Sequence, residues 1–323
     1  MRNAMLLVLT LLGASLCWGA EIYPNQPVRM IVPFGPGGGS DVIGRIVAQQ
    51  LSEQLGKTFV IENRPGAGGR IGAGLVAKAA PTGYLLLVSD AGMTIHPSLY
   101  KLPYDVLRDF TPITQILRIP NALVVHPSLK VNTLKEFIAL ARANPGKFNY
   151  GSASVGSGAH LATELFKMAA KVNIVNITYA KGGSEVIAAM LGGQIQMFVI
   201  TTTAAAPHVK SGQVRALAVT TDGRRSSAMP DVPSMSEAGL PGMEVYQWTG
   251  LTGPGGLPKE IVDKLHAEMV KAVAVPSVKE RLIKLGGELV GSSPEEFSRY
   301  VRSEIPRWAA VIKDAGIKVE EAR

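Results

Sequence analysis

The sequence predicts an α/β protein of two lobes, each lobe a β-sheet flanked by helices, with a ligand cleft between the lobes. Three observations carry this expectation. Apolar runs of strand length alternate with amphipathic helical runs along most of the 323 residues. The composition is 46% hydrophobic but only 6% aromatic, and it is rich in small and aliphatic residues, as buried parallel strands are. Two glycine-rich loops, at residues 35–39 and 151–158, each lead from an apolar strand into a helix.

The first strand, residues 28–34, runs into Gly35, Gly37, Gly38 and Gly39. Ser40 and Asp41 follow as N-cap residues for a helix whose apolar face carries Val42, Ile43, Ile46, Val47, Leu51 and Leu55. Residues 58–62 form a second strand that ends in the glycine turn NRPGAGG at 63–69, and a short helix covers 71–79. A third strand, YLLLVS at 84–89, has Asp90, Ala91 and Gly92 at its C-terminal end. This alternation predicts a doubly wound parallel sheet, with ligands gathered at the C-terminal ends of the strands.

Strands at 113–119 and 122–125, split by Pro120, mark a crossing between lobes. Thr133 caps a helix over 134–143. The second glycine loop, YGSASVGSG at 150–158, then enters a helix over 159–170. A strand at 174–179 leads to Lys181, Gly182, Gly183 and Ser184 at the start of another helix, and a strand at 195–200 ends in Thr201, Thr202 and Thr203. A strand at 215–220 completes this set. After a proline-rich stretch at 229–242, residues 244–250 read as a strand returning to the first lobe, whose sheet the C-terminal helices cover. The first lobe therefore comprises residues 21–119 and 228–323, and the second, inserted lobe comprises residues 120–227.

Residues 1–20 read as a secretory signal peptide: Arg2, an apolar run to Trp18, then Gly19 and Ala20. The expected destination is the periplasm. Cys17, the sole cysteine, is preceded by bulky Leu16, which argues against lipid attachment. A mature chain without cysteine has no disulfide and no thiol chemistry. The net charge of +8 is spread over scattered lysines and arginines, with no stripe or tail of the kind that binds nucleic acid.

Several catalytic readings fail on their own criteria. Gly35-Pro36-Gly37 begins a dinucleotide fingerprint, with Glu62 in the place of the ribose-binding acid, but Ser40 stands at the last glycine and Pro36 removes an N–H. No Walker A loop and no nucleophile elbow occur. Ser154 or Ser157 with His160 is the arrangement an exported serine hydrolase would use, and this is the alternative function. His160 and Glu164 share a helix face without a third metal ligand, so a structural pair is expected and no metal or other cofactor. Trp248 reads as a core or hinge aromatic.

The two glycine loops are harder to set aside. Each puts unpaired N–H groups and a positive helix end at one point, which attracts an anion. Neither contains Lys or Arg, so recognition would rest on N–H groups, serine hydroxyls and water. That suits a small carboxylate that must be released again.

At these residues the chain resembles the Bug-type extracytoplasmic solute receptors of tripartite tricarboxylate transporters. The motifs are PFGPGGGSD at 33–41, NRPGAGG at 63–69, PTGYLLLVSD at 81–90, NYGSASVGSGAHLATELF at 149–166, LGGQIQMF at 191–198 and MPDVPSMSEAGLPG at 229–242. The resemblance implies a type II periplasmic binding protein-like fold, closing like a Venus flytrap, and a receptor rather than an enzyme. It implies a monomer that carries a small organic acid to a permease of one large and one small membrane subunit. Di- and tricarboxylates, amino acids and aromatic carboxylates all stay open as ligands. It places the first ligand loop on Phe34, Gly37, Gly38, Gly39, Ser40 and Asp41, and the second on Ser152, Ser154, Gly156, Ser157 and His160. Ser89, Asp90 and Ala91, with Thr201 and Thr202, fall where the variable end of a ligand is met.

Overall fold

A computed structural model describes residues 23–179, 183–221 and 223–318. The expected signal peptide lies outside the described residues, as do Lys181 and Gly182 of the expected helix cap. The first lobe is built on the parallel strands β1 (Val28–Val32), β2 (Phe59–Asn63) and β3 (Leu85–Asp90), in the order β2-β1-β3. Helices α1 (Gly39–Leu55) and α2 (Arg70–Ala77) connect them, and α3 (Gly92–Leu99) follows β3. α3 leaves no helical pattern in the sequence, because Pro97 and His96 interrupt its apolar residues.

The sheet is not parallel throughout. Beside β3 lies β9 (Tyr246–Pro254), antiparallel to it, and β9 pairs in turn with β4 (Phe110–Val125). β4 is one 16-residue strand rather than the two expected on either side of Pro120. Proline has no N–H to give a ladder, so a strand tolerates it where pairing changes hands. Up to Pro120, β4 pairs with β9, and near Leu117 also with β10 (Glu288–Leu289). From Asn121 it pairs with β7 (Met197–Thr201) and β8 (Arg215–Val219) of the second lobe. There β7 continues through β5 (Asn149–Ser152) to β6 (Val175–Thr178). Helices α4 (Leu134–Ala143), α5 (Gly158–Ala170), α6 (Gly183–Leu191) and α7 (Thr202–Lys210) flank this sheet.

The return passage is not at residue 228, the boundary expected from the sequence. Residues 229–242 stay on the second lobe, where Val219 N–H donates to Pro233 O and Met235 N–H to Val219 O. The chain crosses back at Val245. A small network stitches the two crossing strands together: Asn121 N–H donates to Thr220 Oγ1 at 2.9 Å, Asn121 Nδ2 to Val245 O at 3.1 Å, and Thr220 Oγ1 to Val245 O at 2.5 Å.

The C-terminal helices divide their labour. α8 (Lys259–Ala274) packs on α1 and β4, and α9 (Pro276–Lys284) packs on α1, as expected for cover of the first lobe. α10 (Pro294–Asp314) instead bridges the lobes, touching α3, β4 and α5. It starts with a full capping box, Ser293 and Glu296. Its Trp308 and Phe297, with Trp248 of β9, belong to one apolar cluster that runs on to Phe137 and Phe166 of the second lobe. Trp248 is 3% exposed and meets Phe297 edge-on at 5.4 Å, the core aromatic expected.

A cleft ringed by four helix starts

Between the lobes lie two adjoining chambers, of about 320 and 240 Å³. The larger is lined by Gly39 and Ser40 at the start of α1, by Thr201 and Thr203 at the start of α7, and by apolar Ile43, Leu117, Ile119 and Leu285. The smaller is lined by Phe34, by Ala91 and Gly92 at the start of α3, and by Ser154, Gly156, Ser157 and Gly158 at the start of α5. Asp90 and Gln247 line both and form the waist between them. Each chamber thus receives one helix N-terminus from each lobe. α1 shares its chamber with α7, and α3 shares its chamber with α5.

Backbone amides at these ends are left for a guest. α1 has Gly38 at its N-cap, with no side-chain cap, so Ser40 and Asp41 lie inside the helix rather than capping it as expected. The first intrahelical bond is Val42 N–H to Gly38 O, which leaves the N–H groups of Gly39, Ser40 and Asp41 without intrahelical acceptors. In α5, Ser157 Oγ accepts from His160 N–H at 3.4 Å, and the N–H groups of Gly158 and Ala159 are left over. Among the described residues, no lysine or arginine lines either chamber.

The two glycine loops are held by the same device. Gly37 has φ +83° and Gly156 has φ +79°, values that favour glycine. In each loop the residue four positions on, one turn into the helix, reaches back to the glycine N–H. Asp41 Oδ2 accepts from Gly37 N–H at 2.9 Å, and His160 Nδ1 accepts from Gly156 N–H at 2.9 Å. Asp41 is 3% exposed, takes Arg45 Nε at 3.0 Å and receives Asn63 Nδ2 on its other oxygen at 2.8 Å. These bonds outweigh the cost of burial and hold its carboxyl down at about 2. His160 is buried; desolvation pushes its pKa below the usual histidine value, against the pull of Glu164. A neutral ring accepting at Nδ1 carries its proton on Nε2, which lies 3.9 Å from Glu164 Oε1. Glu164 also takes Tyr150 Oη at 2.5 Å and Lys167 Nζ at 2.7 Å.

Several residues expected at the ligand are therefore placed elsewhere. The side chains of Asp41 and His160 hold the loops, and Gly37 N–H is occupied by Asp41. Ser152 is fully buried with its hydroxyl on Asn176 Oδ1 at 2.9 Å. Ser89 is 1% exposed and faces a separate cavity of about 20 Å³ with His96 and Tyr104. Thr202 points into the protein, and Thr203 lines the cleft in its place. Gly38 caps α1 and is not among the lining residues. Phe34, Gly39, Ser40, Asp90, Ala91, Ser154, Gly156, Ser157 and Thr201 do line it. Gln247 was missed: its side-chain amide has no protein hydrogen-bond partner among the described residues, and it abuts Gly158, where an added Cβ would lie 2.4 Å from Gln247 Nε2. Alternation along 244–250 would have put Gln247 on the face opposite Trp248.

The hydrolase arrangement is absent from this geometry. Ser157 Oγ receives a backbone N–H, and the His160 ring bonds the loop rather than a serine.

A family model described as the tripartite tricarboxylate transporter family receptor matches residues 43–317. The chain belongs to this family. Among relatives, protein BugT of Bordetella pertussis is 36% identical over 307 residues, 93% of each chain. Among solved structures, Rhodopseudomonas palustris Rpa4515 with adipate is similar at a TM-score of 0.78 and 36% identity, covering 92% of this chain and 99% of that one. MatC of the same organism, with bound malate, gives 0.74 and 32%, covering 90% and 100%. The two-lobed binding-protein fold and the receptor family expected from the sequence are both found. The family is one of solute-binding receptors, and the serine-hydrolase alternative has no support.

Proposed function

We propose that this protein is a periplasmic, monomeric, non-enzymatic receptor that captures a small organic carboxylate between its lobes and delivers it to the large and small membrane subunits of a tripartite transporter. The observation that carries the reading is the cleft onto which α1, α3, α5 and α7 all direct their N-termini, lined by no cation among the described residues. Free N–H groups at Gly39, Ser40, Gly158 and Ala159 and hydroxyls of Ser40, Ser154 and Thr201, the last accepting from Thr203 Oγ1 at 3.4 Å, supply donors without a salt bridge. An anion held this way is bound and released without breaking a buried ion pair. Similar proteins hold adipate and malate, which agrees with one carboxylate group in each chamber. Export by a cleaved signal peptide at residues 1–20 puts the receptor where such a permease would meet it.

Calorimetric titration with mono-, di- and tricarboxylates, amino acids and aromatic acids tests the reading. Binding by at least one class is expected. Gly39→Val is the matching variant, because a Cβ at Gly39 meets no protein atom within 4 Å and the side chain enters open space beside the larger chamber. Its melting temperature is expected to stay close to wild type while affinity falls at least about tenfold. No heat with any acid, or full affinity in Gly39→Val, would overturn the assignment of the cleft.

A further inference from the structure

We propose that Asp90 couples ligand capture to proton uptake: the carboxylate is bound with Asp90 as the neutral acid, its Oδ2 hydroxyl donating to the guest. This rests on the receptor reading above and assigns that cleft a specificity residue and a dependence on pH. Asp90 ends β3 at the waist, where it lines both chambers and also the small cavity beside Ser89, His96 and Tyr104. Its Oδ1 accepts from Gly92 N–H at 3.0 Å, and Oδ2 has no hydrogen-bond partner among the described residues.

Among the described residues, the groups around Asp90 offer it no counter-charge. From α2, Arg70 is drawn aside: its guanidinium lies 3.5 Å from the Tyr100 ring centroid, and its Nε donates to Ala67 O. From α3 comes His96, which burial and Arg70 push down to about 4, so the ring is neutral at working pH. Tyr104, pushed up to about 12, is neutral as well. β9 supplies Gln247, Trp248 and Thr249, and the described residues of the second lobe supply serines, threonines, glycines and Val155, none of them charged. Asp41 on α1 is occupied by Arg45, Asn63 and Gly37.

Two carboxylates in a desolvated space without a cation do not both stay ionised; one keeps a proton. Asp90 is the group prepared for it. Burial pushes its carboxyl up to about 7 although Gly92 N–H favours the ionised form. Binding above that pH takes one proton from solvent for each ligand: ionised Asp90, ionised ligand and a proton give the complex, with no bond broken. Below it the acid is already formed and no proton is taken up.

The probes are adipate and malate, titrated with the panel above. The association constant for the probe that binds is expected to be level below about pH 7 and to fall about tenfold per pH unit above it. Calorimetry at pH 8 in two buffers of different ionisation enthalpy is expected to count close to one proton taken up per ligand. Asp90→Asn supplies a permanent N–H donor, so its affinity is expected to be independent of pH between 6 and 9 and to exceed wild type at pH 8 by about tenfold. The wild-type proton count decides the matter if the variant does not fold. Zero uptake with affinity flat above pH 7 would overturn the inference and leave the receptor reading standing. Affinity that rises with pH and is lost in Asp90→Asn would overturn it too, showing an ionised Asp90 paired with a ligand ammonium. If no carboxylate binds the wild type at any pH, this inference and the receptor reading fall together.

Discussion

The loops at residues 35–41 and 152–160 do one job with different chemistry. Both turn on a left-handed glycine, and both hold that glycine from the residue four positions on. In the first the holder is an ionised carboxylate bonded to Gly37, Arg45 and Asn63. In the second it is a neutral imidazole, helped by a serine cap. The first holder ties α1 to β2 through Asn63, whereas the second mostly ties its loop to its own helix. A helix start that must present bare N–H groups to a guest cannot cap itself fully. Each loop is instead fixed one residue or more before the helix begins, and the leading amides stay free.

The largest effect that would break this parallel is at the holders. Asp41→Ala leaves the N–H of Gly37 and one N–H of the Asn63 amide, whose other donates to Phe34 O, without acceptors, and about 2–3 kcal/mol of stability is expected to go. His160→Ala removes one acceptor and leaves a small cavity, for a loss of about 1–2 kcal/mol. Urea denaturation of both variants checks the order. Equal losses would mean that the charge adds nothing.

The glycines come next. Gly37→Ala meets only backbone strain, because its Cβ would have no neighbour within 4 Å, and about 1 kcal/mol is expected. Gly156→Ala adds a contact at 2.6 Å with Leu99 Cδ1 of the other lobe. It is expected to cost about 2 kcal/mol and to wedge the cleft open, seen as a larger radius of gyration by small-angle scattering. No difference between the two variants would mean that Leu99 moves freely.

The smallest effect is on pH. Both holders have folded pKa values below their unfolded ones, so both stabilise above the unfolded value and lose that contribution as pH falls through the folded one. For Asp41 the window runs from 3.8 down to about 2. For His160 it begins at 6.5 and extends to its lowered folded value. Hydrogen exchange followed from pH 7 to pH 4 is expected to show Gly156 N–H losing protection while Gly37 N–H keeps it. The reverse order would put the weaker hold on the first loop.

Asp41 and His160 also show what a local pattern leaves open. Both are polar and sit in the first turn of a helix behind a glycine loop, which is the signature of a ligand contact. It is equally the signature of a residue that reaches back to its own loop, because positions i and i+4 are stacked on a helix. Only burial tells the two apart. Ser89 and Ser152, at the ends of β3 and β5, and Thr202, the first residue of α7, are buried for a related reason: where a strand gives way to a turn or helix, a small rotation decides whether a hydroxyl faces the cleft or the core. Gln247 was passed over because its neighbour Trp248 dominates the apolar pattern of that strand.

By itself, the sequence determined the two-lobed α/β fold, the strand–glycine–helix loops, and the absence of a cation from them. Those are local matters of periodicity, backbone freedom and composition. The partners of each loop were decided by the tertiary structure, which put α1 beside α7 and α3 beside α5, with Asp90 and Gln247 at the waist between two chambers. That pairing follows from where β4 and β9 cross between the lobes and from how α10 packs across both. It depends on contacts between residues far apart in the chain, which no local pattern encodes.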